Sequence, residues 1–449
     1  MALIIAGERS GVGKTTITLA LLSWLKNQGK SVQSFKVGPD YIDPMFHTAV
    51  TGLPCRNLDP ILTSEDYVRS SFSHHSANAE ISIIEGVMGL YDGVPNSNYF
   101  AYGSTAHIAK LLKIPVILII DCSKLSTSIG AIVYGYVNLD REVKIVGIVL
   151  NKVGTEKHLS LLKEGLKICS IPIMGIWFRE KNIELPSRHL GLIPTAEITF
   201  YQDIIQQLTS IAQNNFNWNL LTPYLEEKKS HLDYNLFYFT LKKTGKFRMA
   251  IAYDKAFNFY YQDNLDILEK LGIELLFFSP ISDQKIPDNI QGIYLGGGFP
   301  EIFASELANN NKMKESLKQA INEGIFTYAE CGGMMYLSEK IIDFNGKSWE
   351  MIGVLPNTAI MSKKLTLGYR EAKILIDNKL IKNNEILRGH EFHRAKNLSI
   401  SNSSILEIKD YYTQQILSYQ GWQIKNIYAS YLHIHFANYI SFIQKLLKQ

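Results

Sequence analysis

The first 25 residues of the chain, MALIIAGERSGVGKTTITLALLSWL (residues 1–25), decide the fold of its first half. Ala2 to Ala6 is a short apolar run with the length of a buried parallel strand. A loop with three glycines follows it. From Thr16 onward, apolar residues recur at helical spacing: Ile17, Ala20, Leu21, Trp24 and Leu25. A strand, a glycine loop ending in Lys-Thr and a helix, in this order, are typical of a phosphate-binding loop.

The loop itself, GERSGVGKT, contains the residue types that phosphate binding requires. Its glycines let backbone N–H groups approach phosphate oxygens, and the N-terminus of the next helix favours negative charge. Lys14 can reach the outer phosphates of a nucleotide, and the hydroxyl of Thr15 can ligate magnesium. We predict a P-loop with these nucleotide-binding residues: Gly11, Gly13, Lys14, Thr15 and Thr16.

Composition limits the class of protein. The chain has 449 residues, 46% of them hydrophobic and 20% charged, which is ordinary for a globular protein of two or three domains. The net charge of +4 is scattered, so no block indicates a nucleic-acid or membrane surface. The longest apolar run, Ile114 to Ile120, is too short to span a bilayer, and the first strand starts too early to follow a signal peptide. The cysteines lie far apart without a CxxC pair, which suits a reducing compartment. We expect a cytoplasmic protein that binds neither nucleic acid nor membrane.

Strand and helix signals alternate after the P-loop. The predicted strands are Ser31–Val37, Glu80–Glu85, Val116–Asp121 and Val143–Asn151. The predicted helices between them are Ser64–Ser71, Thr105–Leu112 and Ser126–Tyr136. This alternation predicts an α/β domain with a parallel sheet, in which ligands bind at the carboxyl ends of the strands.

Polar side chains follow these strands at their carboxyl ends. Glu85 comes directly after an apolar strand and is well placed to hold Mg²⁺ beside a triphosphate. Asp40, Asp43 and Asp92 supply further carboxylates, although each is also compatible with a solvated loop or a helix cap. Lys36 is equally compatible with a surface lysine and with a second phosphate contact.

A second domain begins near residue 246. Charged, turn-rich stretches after about Thr195 are typical of a boundary, and the α/β pattern restarts with a strand at Arg248–Tyr253. We therefore predict a P-loop domain over residues 1–240 and a second α/β domain over residues 246–449.

Within the second domain, Ile325–Leu337 (IFTYAECGGMMYL) indicates a strand, a sharp turn and a helix. Cys331 at the turn has the layout of a nucleophile elbow. We expect the helix N-terminus to lower the pKa of its thiol. The backbone N–H of Gly332 and the glycines of 296–298 are expected to bind an oxyanion.

A nucleophilic cysteine needs a base, and two segments offer histidines. Tyr431–Phe436 (YLHIHF) contains His433 and His435, while Arg388–His393 (RGHEFH) contains His390 and a second histidine at its end. Spacing alone does not choose among these four side chains.

The motifs together resemble those of the cobyrinic acid a,c-diamide synthase family, which has a glutamine amidotransferase domain of the cobyric-acid type. They are GVGKTT, KVGPDYID and EGVMGLYDG in the first half, and LGGGFPE, AECGGMMYL, RGHEFH and ASYLHIHF in the second. The resemblance covers nearly the whole chain. It implies a dethiobiotin synthetase-like, P-loop NTPase-type parallel sheet domain followed by a class I glutamine amidotransferase-like α/β domain. The first glycine of the usual P-loop spacing would fall at Glu8; it lies one residue early, at Gly7, as in dethiobiotin synthetase.

The resemblance also implies roles for individual residues. Cys331 would be the glutaminase nucleophile and His433 would raise its reactivity, while Thr15 and Glu85 would ligate magnesium. Ordinary members of the wider glutaminase class have glutamate two residues after the histidine, where this chain has His435, so the orienting partner of His433 is unidentified. We add Lys36 to the nucleotide site and assign the following residues to substrate binding: Asp40, Tyr41, Asp43 and Asp92.

The implied reaction is amidation of the a and c acetate carboxylates of cobyrinate in cobalamin biosynthesis, with ATP, Mg²⁺ and glutamine, through a carboxyl phosphate and released ammonia. Nickel-sirohydrochlorin and hydrogenobyrinate are alternative corrinoid or tetrapyrrole substrates. An alternative of a different class is a MinD-like ATPase switch that forms no amide. The oligomeric state stays open, with a homodimer as one possibility.

Overall fold

The computed structural model describes residues 2–96, 99–179, 187–188, 191–192, 201–226, 247–376, 384–398 and 404–446. The chain divides into two compact units, one comprising Met1–Pro60 and Ser64–Leu236, the other Ile61–Thr63 and Phe237–Gln449. The predicted boundary between residues 240 and 246 lies outside the described residues, so the domain limits stay a prediction.

The first unit contains a parallel sheet with helices. Its strands are β1 (Ala2–Gly7), β2 (Val32–Val37), β3 (Arg56–Leu58), β4 (Ile81–Glu85), β5 (Val116–Asp121), β6 (Ile145–Val153), β7 (Ile173–Phe178), β8 (Ser187–Arg188) and β9 (Gly191–Leu192). Its helices are α1 (Lys14–Asn27), α2 (Ile42–Thr51), α3 (Glu65–Ser76), α4 (Thr105–Leu112), α5 (Ile129–Leu139), α6 (Glu156–Leu166), α7 (Tyr201–Asn215) and α8 (Trp218–Glu226).

The order of the main sheet, as far as the structure describes it, is β3-β2-β4-β1-β5-β6-β7, and all neighbouring strands run parallel. Strands β1, β4 and β5 are almost wholly buried, as expected for a sheet covered on both faces. The predicted α/β fold is therefore confirmed. The register pairs Lys36 of β2 with Glu85 of β4, which brings these two polar residues together.

Helix α2 was not among the predicted helices. The side chain of Asp40 accepts hydrogen bonds from the first backbone N–H groups of this helix, at 2.9 and 3.1 Å. An aspartate that satisfies these N–H groups starts a helix, even though the sequence GPDYID reads as a turn. The helix places His47 in the interior, where its side chain is fully buried.

The second unit contains two larger sheets. Its strands are β10 (Phe247–Ala252), β11 (Phe257–Phe259), β12 (Ile273–Phe278), β13 (Gly292–Leu295), β14 (Gly297–Gly298), β15 (Phe326–Glu330), β16 (Ser338–Ile342), β17 (Ser348–Glu350), β18 (Leu355–Ile374), β19 (Ile386–Asn397), β20 (Leu406–Asp410), β21 (Ile416–Gln420), β22 (Trp422–Ile424), β23 (Ile427–Ser430) and β24 (His433–Ile434). Its helices are α9 (Gln262–Lys270), α10 (Ala304–Asn309), α11 (Asn311–Asn322), α12 (Gly332–Leu337) and α13 (Ile440–Leu446), with a 3₁₀ turn at Phe436–Asn438.

The central sheet of this unit has the order β12-β10-β13-β15-β23-β22 within the described residues and is parallel except at β22. A second, mostly antiparallel sheet contains the long strands β18 and β19 and ends at β24. The chain leaves the central sheet after β23 and enters the second sheet at β24, where His433 pairs with His390 of β19. The histidine segments found in the sequence are thus adjacent strands.

Among the described residues of both units, no helix has the length and apolar character needed to cross a membrane.

Candidate active sites

The P-loop of the first unit has the backbone geometry that phosphate binding requires. Gly11 and Gly13 have φ angles of 76° and 96°, which favour glycine because a side chain would be strained there. Lys14 follows as the first residue of α1, and its Nζ donates to the carbonyl oxygens of Arg9 (3.1 Å) and Met88 (2.5 Å). Burial, and after it the charge of Lys36, lowers the pKa of Lys14 to about 8.

Beside the P-loop, four predicted site residues form one hydrogen-bonded cluster. The hydroxyl of Thr15 donates to Glu85 (2.7 Å), and its oxygen lies 3.3 Å from a carboxylate oxygen of Asp43. Nζ of Lys36 donates to Asp43 (2.6 Å) and to Glu85 (2.8 Å). Residues from α1, β2, α2 and β4 therefore converge at the carboxyl edge of the sheet, as the sequence predicted for that edge.

The charges of this cluster support one another. Burial opposes the charge of Lys36, but Asp43 and Glu85 outweigh it and raise the lysine's pKa well above its usual value. Burial also opposes the charge of Glu85, but Lys36 and His47 hold its pKa far below the usual range. Burial and the neighbouring Asp40 raise the pKa of Asp43 to about 7.

The donor set of the cluster fits magnesium. The carboxylates of Glu85 and Asp43 and the hydroxyl of Thr15 are hard oxygen ligands of the kind that Mg²⁺ prefers. Thr15 and Glu85 are the predicted pair of metal ligands, and Oγ1 of Thr15 is 2.7 Å from Oε1 of Glu85.

The remaining predicted residues lie around this cluster. Asp40 caps α2 and its carboxylate is 3.9 Å from Nζ of Lys36. Tyr41 is buried in the same turn, and Thr16 is a partly exposed residue of α1. Asp92 is exposed and accepts a hydrogen bond from a backbone N–H in its own turn, at Gly89 (2.7 Å).

The sequence analysis missed two residues that hold this site in place. His47 is fully buried in α2, and its Nε2 lies 2.7 Å from the Glu85 carboxylate. Asn151 bonds the carbonyl of Val12 (2.7 Å), and its side chain occupies the space beside Gly13. Asn151 was the last residue of the predicted strand Val143–Asn151, which was a usable signal, whereas His47 had none because α2 was not predicted.

In the second unit, Cys331 lies at a strained turn between β15 and α12. Its φ of 47° and ψ of −103° are uncommon for a residue with a side chain, and such strain is typical of a nucleophile elbow. Its N–H donates to Ser430 of the neighbouring strand (2.7 Å). A Cβ on Gly332 would lie 3.1 Å from the backbone nitrogen of Gly298, so the predicted oxyanion glycines are adjacent. The elbow prediction is confirmed.

The expectation of a lowered thiol pKa is wrong. Cys331 is 4% exposed, and burial, followed by the nearby carboxylate of Glu301, raises the pKa of its thiol well above its usual value. The N–H of Gly332 opposes this shift without reversing it. Helix α12 has only six residues, so its dipole is small beside the cost of burying a thiolate.

The structure separates the candidate histidines. His433 lies against the glycine strand, since a Cβ on Gly297 would be 2.5 Å from its Cε1. His435 turns toward α9, where its Nε2 is 3.7 Å from Asp263. His393 stacks on Tyr431 at 4.0 Å between ring centroids, and His390 is the strand partner of His433.

The two halves of the chain match two family models. Residues 3–193 match the CobQ/CobB/MinD/ParA nucleotide binding domain, and residues 248–440 match the CobB/CobQ-like glutamine amidotransferase domain. These matches coincide with the P-loop sheet and with the unit that contains Cys331.

Three relatives with similar sequences are called cobyrinate a,c-diamide synthase. The protein of Synechococcus sp. is 48% identical over 100% of this chain and 98% of its own length. That of Synechocystis sp. is 47% identical over 99% of this chain and 92% of its own. That of Gloeobacter violaceus is 43% identical over 97% of this chain and 94% of its own. The chain belongs to the cobyrinate a,c-diamide synthase family. As a member of this family it is an enzyme, a glutamine-hydrolysing carbon–nitrogen ligase with a nucleotide-binding domain and an amidotransferase domain.

Among solved structures, the PurLQS structure from Thermotoga maritima aligns with 45% of this chain and 99% of its own, at 16% identity and a TM-score of 0.34. This likeness is too low to support a conclusion. The family membership, by contrast, removes the alternative of an ATPase switch that forms no product.

Proposed function

We propose that the enzyme converts cobyrinate to cobyrinate a,c-diamide, using ATP to activate the a and c acetate carboxylates and glutamine as the source of nitrogen. The observation that carries this proposal is the presence of two complete candidate sites in one chain. One combines Lys14 with the Thr15–Glu85 pair. The other has Cys331 at an elbow directly after Glu330, whose carboxylate is 3.5 Å from Nδ1 of His433. The names of the relatives supply the corrinoid substrate.

The first unit would carry out the activation. A carboxylate is a poor electrophile, so a substrate oxygen takes the terminal phosphoryl group of ATP, which gives an acyl phosphate and ADP. The charges of Lys14 and Lys36 stabilise the phosphoryl oxygens during transfer. Thr15, Asp43 and Glu85 would hold Mg²⁺, which neutralises phosphate charge when bound. Ammonia then attacks the acyl carbon, and phosphate leaves as the amide forms.

The second unit would release the ammonia. His433 takes the proton of the Cys331 thiol, and the thiolate attacks the carboxamide carbon of glutamine. Backbone N–H groups at Gly332 and Gly298 stabilise the oxyanion of the tetrahedral intermediate. The proton passes to the leaving ammonia, and water then hydrolyses the thioester to glutamate. Because the buried thiol has a raised pKa, a base beside it is essential for this step.

The test is the mass of the product after incubation with ATP, Mg²⁺, glutamine and one macrocycle at a time. We expect cobyrinate to lose two hydroxyls and gain two amino groups, with an intermediate of one exchange at short times. Parallel incubations contain hydrogenobyrinate and nickel-sirohydrochlorin. Turnover of nickel-sirohydrochlorin alone would contradict the proposed substrate while leaving the amidation chemistry intact. A cytoplasmic location stays a prediction of the sequence, and the oligomeric state stays open.

A further inference from the structure

Glu330 is a buried carboxylate that the mechanism above does not use. It is the last residue of β15 and directly precedes Cys331. Its side chain is 3% exposed, and its Oε2 lies 3.5 Å from Nδ1 of His433, whose side chain is fully buried. The residue beside the nucleophile in sequence is therefore also beside the candidate base in space.

Three donors from three strands fix the position of this carboxylate. The hydroxyl of Tyr328 donates to Oε1 (2.6 Å), and the hydroxyl of Tyr294 donates to Oε2 (3.2 Å). The backbone N–H of Ile434 donates to Oε1 (3.3 Å). Each donor faces an acceptor, which is the arrangement that an ionised carboxylate needs when it is buried. The bond from Ile434 also ties Glu330 to the residue next to His433.

The position that supplies the orienting carboxylate in the wider glutaminase class is occupied by His435. Nδ1 of His435 accepts from the backbone N–H of Ala437 (3.3 Å), and its Nε2 is 3.7 Å from Asp263. A carboxylate near His433 therefore comes from β15 rather than from the segment of His433 itself.

We propose that Glu330 is the positioning residue for His433. Its carboxylate accepts a hydrogen bond from the Nδ1–H group, which leaves Nε2 as the acceptor for the thiol proton of Cys331. It also stabilises the imidazolium that forms when the proton moves. The 3.5 Å separation exceeds a hydrogen bond, and catalytic contacts of this kind shorten when substrate binds. The inference rests on the glutaminase site of the proposed function.

His390, a second titratable residue beside His433, does not compete for this role. His390 of β19 is its strand partner, and burial, followed by the proximity of His433, lowers the pKa of His390 to about 3. A neutral His390 has no negative charge with which to stabilise an imidazolium at His433, so it does not compete with the carboxylate of Glu330.

The experiment measures glutamine hydrolysis to glutamate without corrinoid in the Glu330→Gln enzyme. This change keeps the shape of the side chain and removes its charge. We expect kcat to fall by roughly 10²-fold, somewhat less than the effect of a missing base, while KM for glutamine stays within about twofold. The acidic limb of the kcat/KM profile should move to lower pH, because His433 loses a neighbouring negative charge. A purely structural role would not move this limb.

Two controls separate positioning from stability. Asp263→Asn makes the same chemical change at the other histidine–carboxylate pair and should leave kcat and the pH profile unchanged. In a His433→Ala background, Glu330→Gln should cause no further loss of the residual hydrolysis, since its effect passes through His433. A further loss there, or an unchanged profile in the single variant, would overturn the proposal.

If Glu330→Gln does not fold, Glu330→Asp provides a second test of the same role. Glu330→Asp keeps the charge, and we expect it to retain the wild-type position of the acidic limb with a reduced kcat. Wild-type kcat together with a shifted limb in Glu330→Asp would overturn the proposal. An enzyme that hydrolyses glutamine but amidates no macrocycle would contradict the proposed substrate, while the hydrolysis data would still decide the role of Glu330.

Discussion

At the scale of single residues, Cys331 combines a strained backbone, almost complete burial and a raised thiol pKa. A thiol in this state is a weak nucleophile at neutral pH. Its reactivity therefore depends on transfer of its proton to a base at the moment of attack. This dependence makes the choice among the histidines the central question of the amidotransferase unit.

The first prediction concerns Cys331→Ser. The thiolate is needed only to release ammonia, so this variant should lose glutamine-driven amidation and keep amidation at high ammonium concentration. The measurement is amide product with each nitrogen source in parallel. Full activity with glutamine would show that Cys331 is not the nucleophile.

The second prediction compares His433→Ala with His435→Ala. Loss of the base should reduce glutamine hydrolysis by about 10²–10⁴-fold. His435 contacts Ala437 and Asp263 instead, so its removal should leave a measurable fraction of the activity. Both variants should retain ammonium-driven amidation. A larger loss in His435→Ala would reverse the assignment of the base.

At the scale of secondary-structure elements, the nucleotide site depends on where parallel strands end. Lys36 and Glu85 lie at the carboxyl ends of β2 and β4. Helix α1 begins at Lys14, directly after the last glycine of the P-loop. In the amidotransferase unit, strand β14 positions a candidate site residue in a similar way, because His433 packs against its Gly297. Both arrangements bring together residues that lie far apart in the sequence.

The third prediction concerns this edge of the parallel sheet. Lys14→Ala removes a predicted phosphate contact. Glu85→Gln removes the negative charge of the carboxylate that contacts Thr15, Lys36 and His47. Both variants should lose amidation with glutamine and with ammonium alike. Glutamine hydrolysis measured alone should survive in part, because its residues belong to the other unit. Wild-type amidation in Lys14→Ala would rule out this nucleotide site.

The fourth prediction concerns β14. In Gly297→Ala the new Cβ would lie 2.5 Å from Cε1 of His433 and 3.3 Å from Cβ of Phe259, so the imidazole has to move. We expect kcat for glutamine hydrolysis to fall by about 10²-fold, since small displacements of a catalytic group have effects of this size. The matched control is Gly135→Ala in α5, where the new Cβ meets no atom within 4 Å. Equal activity of the two variants would contradict the placement of His433.

At the scale of the whole molecule, the second unit depends on a buried ion pair between its two longest strands. Nε of Arg370 in β18 lies 2.6 Å from Oε2 of Glu391 in β19, and both side chains are at most 6% exposed. Gln420 donates to the other carboxylate oxygen at 2.6 Å. Burial opposes the charge of Glu391, but His393 and Arg370 lower its pKa to about 2.

The fifth prediction follows from this pair. Because the pKa of Glu391 is depressed, its contribution to stability is present above the ordinary value of 4.5 and is lost as the pH falls toward about 2. Arg370→Met removes the guanidinium that lies 2.6 Å from the buried Glu391 carboxylate and should cost about 3–5 kcal/mol. The measurement is the opening free energy of β18 and β19 from amide hydrogen exchange, at neutral pH and in acid. The control is Lys285→Met, which removes an exposed pair with Asp288 and should cost less than about 1 kcal/mol.

Much of this protein can be predicted from short stretches of sequence. The β1–loop–α1 unit was found because its apolar run, its glycines and its helical spacing all lie within 25 residues. The elbow at Cys331 was found in the same way, since β15 and α12 flank it directly. The antiparallel strands β18 and β19 were missed because polar and charged residues, such as Lys363, Lys364 and Arg388, interrupt the apolar pattern of their sequences.

The sequence by itself determined both folds, the P-loop and the strand–turn–helix elbow at Cys331, because each is encoded by neighbouring residues. Only the tertiary structure decided which distant groups face one another. Glu330 and Ile434 are hydrogen-bonded although 104 positions separate them, and Lys36 meets Glu85 through strand register alone. The pKa of Cys331 could likewise not be predicted from the sequence. The free-energy cost of its thiolate depends on burial by segments from the whole unit. Contacts of this kind arise from packing, which no local pattern specifies.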